Sequence, residues 1–312
     1  LPLLVLFVTS LGMSGDTNLG SNNFWQDALQ PIINSLLLGA GVVVMTTVIA
    51  TPVALLLART PLRDCKWLEV ILLVPFMTPP YIASMGWILF FQKKGLLQQL
   101  VPSSEPYTEM FFSLGGMIMV MSFHLFPFMS TILKNAILNI GSNLEESASI
   151  AGAGRITILR RIVAPLLSGN YAIAALLVFV NTLAEYGTPA TLGQRIGFAV
   201  FTTDIHRYAA MAPISFDKAA SLSSVLIGIC LLLWFWQNYF TTKRSYSLVG
   251  NAKVGLNIEG KNNWFGVGCF YLFFLFFCAV VIPYFSAIST SLIKLRGYGL
   301  AAGNFTLDHY QN

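Results

Sequence analysis

The sequence of 312 residues has few charged side chains. Asp, Glu, Lys and Arg make up 10% of it, whereas soluble domains carry roughly 25%. Hydrophobic residues reach 55%, and the mean hydropathy is +0.70. Long apolar runs with so few charges between them indicate an integral membrane protein rather than a soluble domain.

Cysteine and histidine are too scattered to form a metal or redox site. The chain has four cysteines and three histidines, and no pair has the spacing of metal ligands. Neither an acid pair nor a nucleophile–base arrangement is visible, and the phosphate-binding pattern GxxxxGK[ST] does not occur. We therefore predict that this chain is not an enzyme and holds no metal or cofactor, so that any nucleotide must bind a partner.

The net charge of +5 comes from short basic loops between apolar runs, a pattern of membrane topology rather than of nucleic-acid binding. The loops at 59–67, 134–167 and 241–263 hold eleven Lys and Arg residues, and alternation of spans puts all three on one side. The other side holds six, or seven if Lys218 is included. This excess predicts that the first three loops are cytoplasmic.

Six apolar runs are long enough to cross a bilayer, which takes about 20 residues. Each must be helical, because unpaired backbone groups are costly in lipid. We predict an all-α, polytopic transmembrane helical bundle with six complete spans, and residues 1–12 as the tail of an earlier one. The spans are expected at 31–58, 68–91, 111–133, 168–190, 217–240 and 264–293.

Proline and polar residues interrupt two of these spans. Pro79 and Pro80 must kink or break the second span, as a bend packed against neighbours or as broken backbone that lines a substrate path. In the fourth, Glu185 follows Asn181 by about one turn, near the expected outer end. A charge at mid-bilayer costs about 2.5–3.5 kcal/mol and usually faces a cavity or a partner. These four residues are candidates for a translocation path, and a structural pair or interface position is the alternative for Glu185.

The two ends of the chain resemble each other at an offset of 281 residues. Residues 1–31 and 282–312 share nine identities without a gap, several of them polar. Fused internal repeats are common in transporters. We therefore expect residues 1–263 to form a first module, truncated at its N-terminus, and residues 264–312 to be the first helix and the start of the outer loop of a second, truncated module.

The cytoplasmic loop at 134–167 begins with a polar helix. Ser142 and Glu145 have the spacing of a capping box, which predicts a helix through about Ala151. Gly152 and Gly154 then suit its end, since glycine adopts a left-handed conformation without a side-chain clash. The sequence thus predicts a corner near these glycines.

A second short helix is expected from about Thr157 to just before Pro165. Two helices joined at a glycine corner would project charged and small residues from the membrane. A solvated basic linker that serves topology alone is the alternative. One face of the second helix is expected to carry Ile156, Leu159, Ile162 and Val163.

The same stretch resembles the EAA loop of binding-protein-dependent ABC importer permeases. That pattern is Glu-Ala-Ala, three residues, Gly, nine residues, Ile, one residue, Leu-Pro. The spacing is kept throughout, with a serine in place of the first alanine and an alanine in place of the leucine. The matching residues are Glu146, Ser147, Ala148, Gly152, Ile162, Ala164 and Pro165.

The resemblance extends over most of the chain. The run that starts at Asn34 is similar to the opening of that permease domain, and AEYGTPATLG at 184–193 looks like a segment of iron(III)-type permeases with two fused modules. The resemblance implies a type I permease fold in the bacterial inner membrane, with ferric iron as substrate. Permeases for thiamine, aminoalkylphosphonates or polyamines remain alternatives.

The resemblance also implies partners. A dimer of cytoplasmic ATPase subunits would bind ATP and receive the loop, and a periplasmic or extracellular binding protein would deliver the substrate. Two other classes stay open: a secondary transporter driven by an ion gradient, which needs acidic residues in its spans, and a membrane scaffold. The residues implied to couple the loop to the ATPase are Glu145, Glu146, Ser147, Ala148, Gly152, Ile162 and Pro165.

Overall fold

A computed structural model of the chain describes residues 22–140, 142–243, 263–294 and 303–307. These residues are helical, apart from turns and one isolated antiparallel bridge between Ile293 and Phe305. The all-α prediction is therefore confirmed for this part of the chain. The partial span expected at 1–12 lies outside the described residues, as does most of the offset repeat.

Thirteen α-helices follow one another in the described part of the chain. A π-helical turn joins α8 to α9, and another joins α12 to α13. The helices are α1 (Asn22–Arg59), α2 (Lys66–Met77), α3 (Pro80–Phe91), α4 (Leu96–Leu100), α5 (Glu105–Phe111), α6 (Leu114–Leu138), α7 (Ser142–Ile150), α8 (Arg155–Ile158), α9 (Ala164–Ala184), α10 (Phe201–Ala210), α11 (Phe216–Lys243), α12 (Asn263–Phe276) and α13 (Ile282–Ser291).

Among the described residues, five helices or helix pairs are long and apolar enough to span a bilayer, and a sixth span is bent. They fall in the six predicted regions, so a bundle of membrane-spanning helices is confirmed. Their bounds differ most in the fourth span, which covers Ile156–Ala184 instead of 168–190.

The second span is broken rather than merely kinked. Helix α2 and the segment Pro80–Leu100 meet at 87°. Thr78 is extended, with ψ 132°, because the following proline disfavours the helical conformation. Pro80 then begins α3, where its missing N–H costs no hydrogen bond. With 12 residues, α2 is about 18 Å long and stops short of a hydrocarbon core of about 30 Å.

Pro165 does not end the second helix of the loop at 134–167, so this prediction was wrong. The chain is helical from Arg155 through Pro165 and on to Ala184. The π-helical turn over Leu159–Val163 precedes the proline, and its wider bonding pattern accommodates a residue that lacks an N–H. The loop therefore runs straight into the fourth span.

Helices α1, α6 and α9 form the centre of the bundle. Lipid removes most of the hydrophobic drive between helices, so close packing at small residues has to hold them together. A Cβ on Gly39 would lie 2.7 Å from the Phe179 ring, and one on Gly41 would lie 2.5 Å from Ile118. Both glycines therefore allow α1 to approach its neighbours closely.

The last helix pair packs directly on the rest of the bundle. The Tyr271 hydroxyl donates a hydrogen bond to the Ile49 carbonyl of α1, at 2.9 Å. The Tyr284 hydroxyl lies 2.6 Å from Thr78 Oγ1 at the break of the second span, and a Cβ on Gly86 of α3 would overlap the Pro283 backbone. The division of the chain at residue 264 remains a prediction.

Candidate functional site

The loop at 134–167 turns at Gly152. Its φ is +84°, and its amide donates to the Ser149 carbonyl at 2.9 Å. The Ala153 amide donates to the Ala148 carbonyl, also at 2.9 Å. This pair of hydrogen bonds is the Schellman motif, which ends a helix on a left-handed residue. A Cβ on Gly152 would meet nothing within 4 Å, so the backbone angle, and not lack of space, requires glycine here.

The prediction of one apolar face on the second helix is only partly correct. Val163 is buried and Ile162 half-buried, but Ile156 is 80% exposed and Leu159 40%. Ile158, which was not predicted to face inward, is buried instead. The π-helical turn adds a residue within this stretch and shifts the positions that follow relative to a regular helix.

The outer surface of the loop combines one carboxylate with large apolar side chains. Glu146 and Ser147 are exposed, and Ala148 is half-buried. Ile150 is 88% exposed, and Ile156 lies across the glycine corner from it. Pro165, further along, is also exposed. Large apolar side chains exposed beside a carboxylate are typical of a protein-binding site.

Glu145 faces inward, unlike its neighbour Glu146. Both carboxylate oxygens of Glu145 accept hydrogen bonds from the Arg59 guanidinium at the end of α1, one of them at 3.0 Å from Nη1. Both side chains are buried, with 6% and 7% exposed. The carboxylate thus forms a two-point ion pair where the sequence predicted a capping box. The Ser142 side chain lies outside the described part of the structure.

The second site is a cavity of about 190 Å³ where the broken second span meets the end of α9. It brings together three of the four candidates for a translocation path, Pro80, Asn181 and Glu185. Pro79 lies at the break but not in the lining. A more open pocket of about 490 Å³ adjoins it and shares Pro80 and Glu185.

Glu185 is the first residue after α9. Its carboxylate accepts a hydrogen bond from the Thr188 amide, at 2.9 Å from Oε1. Its backbone carbonyl accepts one from the Thr202 hydroxyl at 2.9 Å. A Cβ on Gly187 would lie 2.9 Å from the Tyr81 amide nitrogen and 3.0 Å from Glu185 Oε1. Glycine at this position therefore lets the start of α3 pack closely against the turn that follows Glu185.

His124 of α6 reaches the cavity because of the break. Pro79 has no N–H, so the Pro75 carbonyl has no partner in a regular helical pattern. His124 Nδ1 lies 2.8 Å from that carbonyl. The carbonyl can only accept, so Nδ1 carries the hydrogen, and in the neutral ring Nε2 keeps its lone pair. The imidazole thus supplies the hydrogen-bond donor that the Pro75 carbonyl lacks at the break, and it also lines the cavity.

The sequence model of a protein family matches residues 50–246, and the family is described as a binding-protein-dependent transport system inner membrane component. This range covers more than half of the chain. The chain belongs to this family of permeases. The resemblance of the sequence to binding-protein-dependent importer permeases is thereby confirmed, while the coupling role of the loop at 134–167 remains a prediction.

Several permeases are similar in sequence. The chain is 26% identical over 234 residues to a putative ferric transport system permease protein, FbpB 1, of Haemophilus influenzae, with 74% of this chain and 37% of the relative covered. It is 27% identical to the ferric transport system permease protein FbpB of Actinobacillus pleuropneumoniae, with 73% and 33% covered. The chain thus spans about a third of the length of these relatives.

A third relative carries a different substrate in its name. The molybdenum transport system permease protein ModB of Mycobacterium bovis is 25% identical, with 67% of this chain and 80% of the relative covered. Among solved structures, a chain of the methionine ABC transporter MetNI in an inward-facing conformation matches with a TM-score of 0.56 and 17% identity. The alignment covers 72% of this permease and 99% of that chain, and it confirms the fold.

Sequence reasoning missed Arg59 as a partner of the loop. Arg59 was counted only as a topological charge at the end of a span. Its partner lies 86 positions away, and no local pattern indicates such a pair. The contact of His124 with the Pro75 carbonyl was also not predicted, although a signal was present: Pro79, four residues after Pro75, has no N–H to donate to that carbonyl.

Proposed function

We propose that this permease imports a substrate across the bacterial inner membrane, driven by ATP hydrolysis in a dimer of partner ATPase subunits. The observation that carries this proposal is the exposed surface of the glycine-cornered loop, with Glu146, Ile150 and Ile156 outside the bundle core. Apolar side chains on a predicted cytoplasmic loop need a protein partner. The chain itself has no phosphate-binding pattern, so the nucleotide site belongs to that partner.

The proposed substrate is ferric iron, delivered from the outer side by a soluble binding protein. Two relatives are named ferric permeases, whereas others are named for molybdenum and sulfate. The segment AEYGTPATLG at 184–193 supports iron, because it resembles the iron(III)-type permeases. Oxyanions are therefore the main competing substrates.

We expect proteoliposomes that contain the natural full-length permease with its ATPase to take up radioactive iron from an iron-loaded binding protein. Uptake should require ATP inside the vesicles. Molybdate and sulfate, presented with the binding protein, should give no uptake above background. Uptake of an oxyanion instead of iron would contradict the substrate proposal, and gradient-driven uptake without the ATPase would contradict the ATP-driven class.

Glu146→Ala is expected to weaken association with the ATPase by about twofold to fivefold, the size of an exposed ion pair. The side chain is exposed, so the fold should be unaffected. Retention of the ATPase on the immobilised permease measures the change. Glu105→Ala, which removes an exposed carboxylate of α5 on the predicted outer side, is the matched control. Equal retention by both variants would place Glu146 outside the interface.

A further inference from the structure

The cavity at the break of the second span carries charge of one sign. Of the described residues that line it, only Glu185 has a formal charge, and neither Lys nor Arg is present. Burial among apolar side chains disfavours the negative form of this carboxylate, and amide donation from Thr188 opposes that effect by stabilising the charge. Apolar walls such as Phe76 and Met121 lower the local dielectric constant, so the field of the carboxylate acts strongly within the cavity.

Two further polar groups accompany the carboxylate. His124 keeps the Nε2 lone pair, because Nδ1 is engaged with Pro75. Asn181 is exposed, and its Nδ2 donates to the Leu177 carbonyl at 2.8 Å, which leaves its carbonyl oxygen as an acceptor. Carboxylate and amide oxygens and an imidazole nitrogen are all electron-pair donors that suit a cation.

We propose that Glu185, His124 and Asn181 form a transit site for a cation, and that this site favours cationic over oxyanionic cargo. The proposal rests on the proposed function. A volume of about 190 Å³ accommodates an ion with several waters, since a water occupies about 30 Å³ in the liquid. Sulfate or molybdate would meet a carboxylate there, with no basic residue among the described lining to bind it.

The site is built for passage and not for storage. The described residues contain no group of three or more His, Cys, Asp and Glu side chains that could hold a metal ion. A pathway for ions requires sites that are favourable enough to enter and weak enough to leave. One carboxylate with neutral donors meets that requirement.

Thiol labelling at the cavity tests the charge without any transport. In the complex reconstituted with its ATPase, the native cysteines are replaced by alanine and Asn181 by cysteine. Methanethiosulfonate reagents that carry trimethylammonium or sulfonate are then compared. The ratio of the two reaction rates is divided by the same ratio for a free thiol in solution. We expect this normalised ratio to favour the cationic reagent about tenfold. Adding Glu185→Gln should bring the ratio to about one, because the field of the carboxylate is removed.

Asp204→Asn is the matched control for labelling. Asp204 is a buried carboxylate of α10 that pairs with Arg207 at 3.2 Å and does not line the cavity. The Asp204→Asn variant should leave the labelling ratio unchanged. A ratio near one with Glu185 present, a ratio that Glu185→Gln does not alter, or no reaction with either reagent would overturn the transit site.

Iron uptake separates this site from the proposed function. Glutamine keeps an oxygen that accepts from the Thr188 amide but removes the charge. We expect Glu185→Gln to lower uptake of radioactive iron about tenfold, while hydrolysis stimulated by the loaded binding protein stays near the level of the unmodified permease. Normal uptake in this variant overturns the transit site and leaves the proposed function intact. Loss of stimulated hydrolysis as well would assign Glu185 to the fold and also overturn the site.

Discussion

Gly152→Val is expected to abolish substrate uptake while the permease still inserts and still receives its binding protein. A left-handed conformation costs a residue with a side chain about 1–2 kcal/mol, and a β-branched residue fits it worst. The φ of +84° would therefore be abandoned, and α7 would turn away from the direction that the corner now gives it. Uptake and ATP hydrolysis stimulated by the binding protein measure the loss in reconstituted complexes.

Gly154→Val provides a matched control two residues further on. Gly154 has no positive φ, and a Cβ there also meets nothing within 4 Å. The same side chain is thus added to the same loop without backbone strain. We expect this variant to retain most of the uptake. Normal uptake and normal stimulated hydrolysis in Gly152→Val would contradict the coupling role and support the alternative that the loop is a solvated basic linker.

Glu145→Ala is expected to destabilise the permease by about 3–5 kcal/mol, because it leaves the buried Arg59 without its partner. Arg59→Ala should cost a similar amount for the converse reason. The loop would then lose its attachment to the end of α1. Denaturation by SDS of the purified permease in detergent measures the change in the free energy of unfolding.

The double variant Arg59→Met with Glu145→Leu distinguishes a lost charge partner from lost packing. Replacing both members of a buried ion pair by apolar residues is often neutral or stabilising, so most of the stability should return. Glu146→Ala should leave the stability unchanged, since that side chain is exposed. Equal losses for Glu145→Ala and Glu146→Ala would mean that the inward orientation of Glu145 is wrong.

The spans were predictable because lipid imposes one requirement on every segment that crosses it. A long apolar run must satisfy its own backbone, and a helix does so. The ends of the helices were harder to predict from the sequence at prolines. Pro165 fits a helix that widens to a π-helical turn, whereas Pro79 follows an extended residue at the break. Both positions read as helix ends in the sequence, and the packing of neighbouring helices decides between them.

The candidate sites were predictable where the signal is local. Gly152 suits a left-handed corner by its chemistry alone, and Glu185 stood out as a charge at the end of an apolar run. Long-range pairs were not predictable in this way. Arg59 with Glu145 and His124 with Pro75 join residues far apart in sequence, and only the folded bundle brings them together.

The contact of Tyr284 with Thr78 fixes an order of events during synthesis. The two hydroxyls are 206 positions apart, so the break in the second span lacks this partner until α13 leaves the ribosome. At about 5–20 residues per second, that delay is about 10–40 s. The Pro283 backbone that packs against Gly86 arrives equally late. The bend between α2 and α3 therefore gains these contacts only after most of the helices that surround it have been synthesised.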